Sequence, residues 1–107
     1  MRIWLDDVRE PPAGSDFIWC RTMKAARRLF DTRMVDFISF DHDLGDDIFT
    51  GYSLAVYIEE MAHSRKIKPP DYAIHSANPV GKERIDMAMK KAKEYWQNFP
   101  LGTGNGK

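Results

Sequence analysis

Four short apolar runs alternate with three amphipathic stretches along this chain. Residues 2–6 carry Ile3-Trp4-Leu5, and residues 16–21 carry Phe17-Ile18-Trp19-Cys20. Residues 35–40 end in Ile38-Ser39-Phe40, and residues 71–75 carry Tyr72-Ala73-Ile74. Runs this short, β-branched and aromatic and bounded by Gly, Pro or Asp, predict buried strands. Met23, Ala26, Leu29 and Phe30 mark one face of a first helix that Thr22 can cap. Leu54, Ala55, Ile58, Met61 and Ala62 stripe a second over residues 52–64, with Thr50 and Gly51 shaping its entry. Lys68-Pro69-Pro70 stops any continuation. Asn78-Pro79 opens a third helix, a good cap followed by proline at its preferred first position. Its buried stripe is Ile85, Ala88, Met89, Ala92 and Trp96.

Strands alternating with helices predict an α/β fold: a mostly parallel sheet of about four strands flanked by about three helices, with right-handed crossovers and both faces packed. The first connection is the exception. Parallel neighbours normally need a dozen or more residues between them, and this loop, with Pro11 and Pro12, holds about nine. Extended, such a segment spans at most roughly 30 Å. The second strand therefore either returns beside the first without a helix or runs antiparallel to it. One domain over residues 1–100 is expected, with a frayed glycine-rich tail at 101–107.

Charge changes the picture locally. Sixteen basic residues balance sixteen acidic ones, so no overall field points to duplex nucleic acid or a membrane. Asp41, Asp43, Asp46 and Asp47 nevertheless crowd the turn after the third strand, while residues 21–33 and 82–93 are mostly basic. The single cysteine, Cys20, excludes an internal disulfide and fits a reduced, cytoplasmic setting. No apolar run approaches the about 18 residues of a membrane span, so neither secretion nor membrane insertion is expected.

Three of the strands end in titratable residues, where open α/β sheets bind ligands. The first runs into Asp6-Asp7, the third into Asp41-His42-Asp43, and the fourth into His75-Ser76-Ala77-Asn78. These ends are expected to converge. Asp6, Asp7, Asp41 and Asp43 at one edge would repel unless protonated or bridged by a cation, and hard oxygens favour Mg²⁺, with Mn²⁺ as an alternative. His42 and His75, at the ends of neighbouring strands, suit an acid–base pair near pH 7, or else join a metal site. In the plainer reading each histidine bonds a carboxylate and orders a loop, as expected for His63. Arg9 either neutralises a phosphate or holds Asp6 or Asp43. Ser76 and the amides around Asn78 suit an anion at a helix start, although Asn78 serves equally as a cap. Tyr52 is a conceivable nucleobase contact. Tyr95, Trp96 and Phe99 either support a dimer or cover the sheet.

The blocks Leu5-Asp6-Asp7-Val8-Arg9, Ser39 to Gly45, Thr50-Gly51-Tyr52 and His75-Ser76-Ala77-Asn78-Pro79 together resemble the receiver-like family named for cyclic-phosphate processing, found in bacteria and phages. The resemblance implies a receiver-like (flavodoxin-like) fold. It places Asp6 and Asp7 as a Mg²⁺-holding pair, Asp41 at the phosphoacceptor position and Ser76 at a phosphoryl-contacting hydroxyl. The chain departs from a receiver in lacking a fifth strand and the lysine that ends it, and in gaining His42 and His75. The implied activity is on cyclic nucleotides or cyclic-phosphate ends; with the acidic cluster and the strand-end histidines it gives the expectation of metal-assisted opening of a cyclic nucleotide or of a 2′,3′-cyclic RNA end, with His42, His75 and Asp41 as catalytic groups. The alternative is a non-catalytic module that binds a phosphorylated ligand or a partner protein.

Overall fold

A computed structural model describes residues 1–45 and 49–98. The expected tail at 101–107 and the acidic positions Asp46 and Asp47 lie outside the described residues, as does Phe99. In chain order the elements are β1 (Arg2–Leu5), β2 (Phe17–Cys20), α1 (Met23–Asp31), β3 (Phe37–Phe40), α2 (Gly51–His63), β4 (Asp71–Ile74) and α3 (Pro79–Asn98). The sheet is wholly parallel in the order β2-β1-β3-β4. β1 therefore pairs with β2 in parallel, Arg2 opposite Phe17 and Leu5 opposite Cys20. A turn closed by the Ser15 amide on the Pro12 carbonyl, with Gly14 at φ 78°, helps the loop return without a helix. After β4 the chain enters α3, and the described residues contain no fifth strand.

The connections explain where the helices lie. From β2 the chain crosses β1 to reach β3, then steps on to β4, always in one direction across the sheet. Right-handed crossovers taken in one direction leave their helices on one face. Ile3, Leu5, Cys20, Ile38 and Phe40 point into that face and meet Met23, Ala26, Phe30, Leu54, Ala55, Ile58, Ile85, Met89 and Ala92 in one buried core. α3 packs chiefly along α2. Tyr95 packs edge-on against His63, and Arg65 lies over Trp96, so these aromatics face α2 and its end rather than the sheet.

The expectation of a sheet packed on both faces is corrected here. Only the β1–β2 step runs the other way, and it carries a loop. Among the described residues no helix covers the second face, where Trp4, Phe17, Trp19, Phe37 and Ser39 alternate with the core positions and Ala73 is exposed.

Helix starts follow the expected chemistry. The Thr22 hydroxyl accepts from the Ala25 amide at 3.1 Å. Thr50 and Ser53 form a reciprocal capping box that begins α2 one residue earlier than its stripe suggests, at Gly51. Asn78 Oδ1 accepts from the Gly81 amide at 3.0 Å and caps α3. No helix among the described residues is long and apolar enough to cross a membrane.

Candidate functional site

At the carboxyl edge of the sheet, one carboxylate oxygen each from Asp6, Asp7 and Asp41 lies within 4.8 Å of the others. β1 delivers Asp6 and Asp7, and β3, its neighbour, delivers Asp41. Asp6 is almost wholly buried, 3% exposed. Its Oδ1 accepts from the amides of Val8 at 2.9 Å and Arg9 at 2.7 Å. Burial works against its charge, but those two amides and the His75 ring outweigh burial and hold the carboxyl below its ordinary value. Asp41 goes the other way: burial, then the negative charge of Asp6, raise its pKa. Two adjacent carboxyls are thus pushed apart, one firmly ionised and one reluctant. A hard divalent cation would relieve that tension, and three convergent carboxylate oxygens are donors of the right kind for one.

β4 delivers His75 to the same edge. Its Nε2 is 3.1 Å from Asp6 Oδ2, its Nδ1 is 2.8 Å from Ser39 Oγ, and its ring lies flat on Trp4 at 3.8 Å. An ionised carboxylate only accepts, so Nε2 donates to Asp6. Burial lowers the His75 pKa more than Asp6 and Asp41 raise it. In the neutral ring Nδ1 then accepts from the Ser39 hydroxyl. Both nitrogens are committed, and His75 orders Asp6.

His42 sits elsewhere on the edge. Its Nδ1 is 2.9 Å from Asp43 Oδ1, and its ring lies against the first turn of α3, where a Cβ on Gly81 would collide with it. Its Nε2 makes no hydrogen bond to a described residue. The two histidines bond different partners, His42 the Asp43 carboxylate and His75 the Asp6 carboxylate and the Ser39 hydroxyl. Asp43 lies outside the three-carboxylate group, bonded to His42 and, at 3.5 Å, to Asn78 Nδ2.

Arg9 holds Asp6 with its backbone amide, and its carbonyl accepts from Trp4 Nε1 at 2.8 Å. Its exposed guanidinium is close enough to His75 to disfavour a proton there. Ser76 Oγ accepts from the Asn78 amide at 3.1 Å, shaping the turn into α3. Tyr52 packs partly buried against the core. Four contributors were not assigned to the site from the sequence, which reads Trp4 and Trp19 as strand core rather than base-stacking platforms: Ser39 and Trp4, which fix His75; Trp19, whose Nε1 donates to the Asp6 carbonyl at 2.7 Å; and Arg21, which donates twice to the Asp7 carbonyl. Ser39 left a signal, as a polar side chain between Ile38 and Phe40.

A family model described as the cyclic-phosphate processing receiver domain matches residues 1–91. The chain belongs to that family. Comparison with curated proteins and with solved structures gives no match. As a cyclic-phosphate processing receiver domain, the chain keeps the receiver-like sheet and its carboxylate edge. After β4 the described residues continue into α3, and the α3 start stands over His42.

Proposed function

We propose that this receiver-like domain is a metal-assisted phosphoesterase that opens a cyclic phosphodiester on a nucleotide or on an RNA end. One observation carries the reading: Asp6, Asp7 and Asp41 converge within 4.8 Å beside a histidine-ordered edge. A divalent cation such as Mg²⁺ or Mn²⁺ held by these carboxylates would neutralise a phosphate that the bare acidic edge repels. His75 keeps Asp6 ionised and aimed. His42, oriented through Nδ1 by Asp43, presents Nε2 either to take a proton from the water that attacks phosphorus or to give one to the ribose oxygen that leaves as the ring P–O bond breaks. The start of α3 and the Ser76 hydroxyl offer donors to phosphate oxygens, and Arg9 adds a cation at the rim.

Phosphorus NMR on 2′,3′-cyclic and 3′,5′-cyclic nucleotides, with Mg²⁺, Mn²⁺ or EDTA, tests this. The expected result is EDTA-sensitive conversion to a monoester, with His42→Ala slowing it about 10²–10⁴-fold. No turnover by demonstrably folded protein overturns the proposal. One feature favours the rival reading of a binding module: both histidines bond carboxylates, as loop-ordering residues do. Calorimetry then shows ligand binding with no reaction to lose in the His42 variant.

A further inference from the structure

The amino edge of the sheet, opposite the carboxylates, holds a cavity of about 510 Å³, walled by the residues that follow α1 and α2 and by the starts of β3 and β4. At about 3.3 Å per strand residue, Asp36 at this edge and Asp41 at the other stand roughly 16 Å apart. Buried Val35, Ile67, Pro69 and Pro70 line it together with half-buried Trp96, whose ring Arg65 covers at 4.1 Å. Its two carboxylates are each paired with a cation from outside the lining: Asp36 with the Met1 ammonium at 3.7 Å, and Asp71 with Lys93 at 2.6 Å. The cavity's own cations are left over. The Arg33, Lys66 and Lys68 side chains make no hydrogen bond or ion pair to a described residue, although Lys68 pulls on Asp71 from farther off. Arg33 moreover holds φ 66°, a conformation glycine takes more readily, and a cation needed at this cavity is a reason to keep arginine there. A concave space of this size suits a small molecule rather than a protein surface. Three unpaired cations match an anion of charge about −2 with three acceptor oxygens, which a phosphomonoester supplies and one carboxylate does not. The Pro69, Pro70 and Trp96 rings beside them suit an aromatic body.

We propose that this cavity binds a phosphomonoester carried on an aromatic or nucleoside body, at a site separate from the Asp6–Asp41 edge and independent of its chemistry. The test is a ¹H–¹⁵N NMR titration of the whole chain in EDTA, where the acidic edge repels phosphate. The probes are adenosine 5′-monophosphate, phenyl phosphate, inorganic phosphate and adenosine. One or both esters should move the Ile67 amide and Trp96 indole signals and leave those of Asp6, Asp41 and His42 in place. The tighter ester tells a nucleoside body from a simple aryl one. Inorganic phosphate and adenosine, each lacking half of the ligand, should bind about ten-fold more weakly. Arg33→Gly relieves the backbone, so its expected loss of about ten-fold in affinity reports the missing cation and not a damaged fold. Lys66→Gln, at an exposed position, should weaken binding similarly and keeps the test open should the glycine variant unfold. Undiminished affinity in both variants overturns the proposal, since cations beyond the helix ends then serve only to offset the helix dipoles. Shifts confined to the carboxylate edge overturn it as well. So does inorganic phosphate binding as tightly as either ester, or the absence of any shift at millimolar probe.

Discussion

Asp6 and Asp41 are the same residue type in one cluster, yet their surroundings give them opposite effects on stability. A carboxyl whose pKa falls on folding stabilises the fold above its ordinary range and loses that contribution as pH drops. A carboxyl whose pKa rises destabilises the fold once it is ionised at neutral pH. Asp6 is the first kind, held by two amides and His75, and Asp41 is the second. In EDTA at neutral pH, urea unfolding should show Asp6→Asn less stable by about 1–3 kcal/mol. Asp41→Asn should be more stable, by on the order of 0.5 kcal/mol after solvent screening. Shifts of the same sign would contradict the geometry. Gly81→Ala pushes a methyl into the His42 ring and should cost about 1–3 kcal/mol, with the histidine NMR signals of His42 displaced. The sequence exposed the carboxylates and histidines because each ends an apolar run. It did not expose that Ser39 and Trp4 pin His75: alternation tells which side a residue faces, not which neighbour it meets.

At the scale of elements, the apolar runs and stripes were legible because burial imposes periods of 2 and 3.6 on them. The helix ends were harder. α1 and α2 both end with an arginine in the left-handed region, Arg33 at φ 66° and Arg65 at φ 61°, where glycine is the usual residue. Neither left-handed position carries a glycine, and only the second helix has prolines, Pro69 and Pro70, further on. The Arg33 amide returns to the Phe30 carbonyl at 3.0 Å, so the turn is made and the side chain carries the strain. Arg33→Gly should therefore raise stability by about 0.5–1 kcal/mol in thermal or urea unfolding, the left-handed penalty exceeding the entropy that glycine adds to the unfolded chain. No gain would mean that the arginine side chain contributes contacts of its own. That no helix covers the second sheet face escaped the sequence for a related reason. Uninterrupted apolar strands such as Phe17-Ile18-Trp19-Cys20 read as buried on both sides, whereas here the second side is roofed partly by a loop and by Arg2.

Across the whole molecule, one-way crossovers stack every described helix behind the sheet and bring three distant chain segments to its carboxyl edge. Asp6 and His75 are 69 positions apart in sequence and 3.1 Å apart in space. That edge gathers negative charge in a fold with no net charge overall, so the acidic cluster is a local cost the fold carries without a cation. Cation binding and folding are then linked: an ion that binds only the folded state stabilises it by RT ln(1 + [L]/Kd). At Mg²⁺ ten times its Kd the gain is about 1.4 kcal/mol. For a domain of this size that corresponds to a Tm increase of roughly 6 °C. Differential scanning fluorimetry in Mg²⁺, against NaCl of equal ionic strength, reads it directly, because general screening moves both samples alike. Asp41→Asn should start from a higher Tm in EDTA and respond less to Mg²⁺, since it loses both the repulsion and a ligand. An equal Mg²⁺ response in wild type and Asp41→Asn would place the cation elsewhere and detach the acidic edge from metal chemistry.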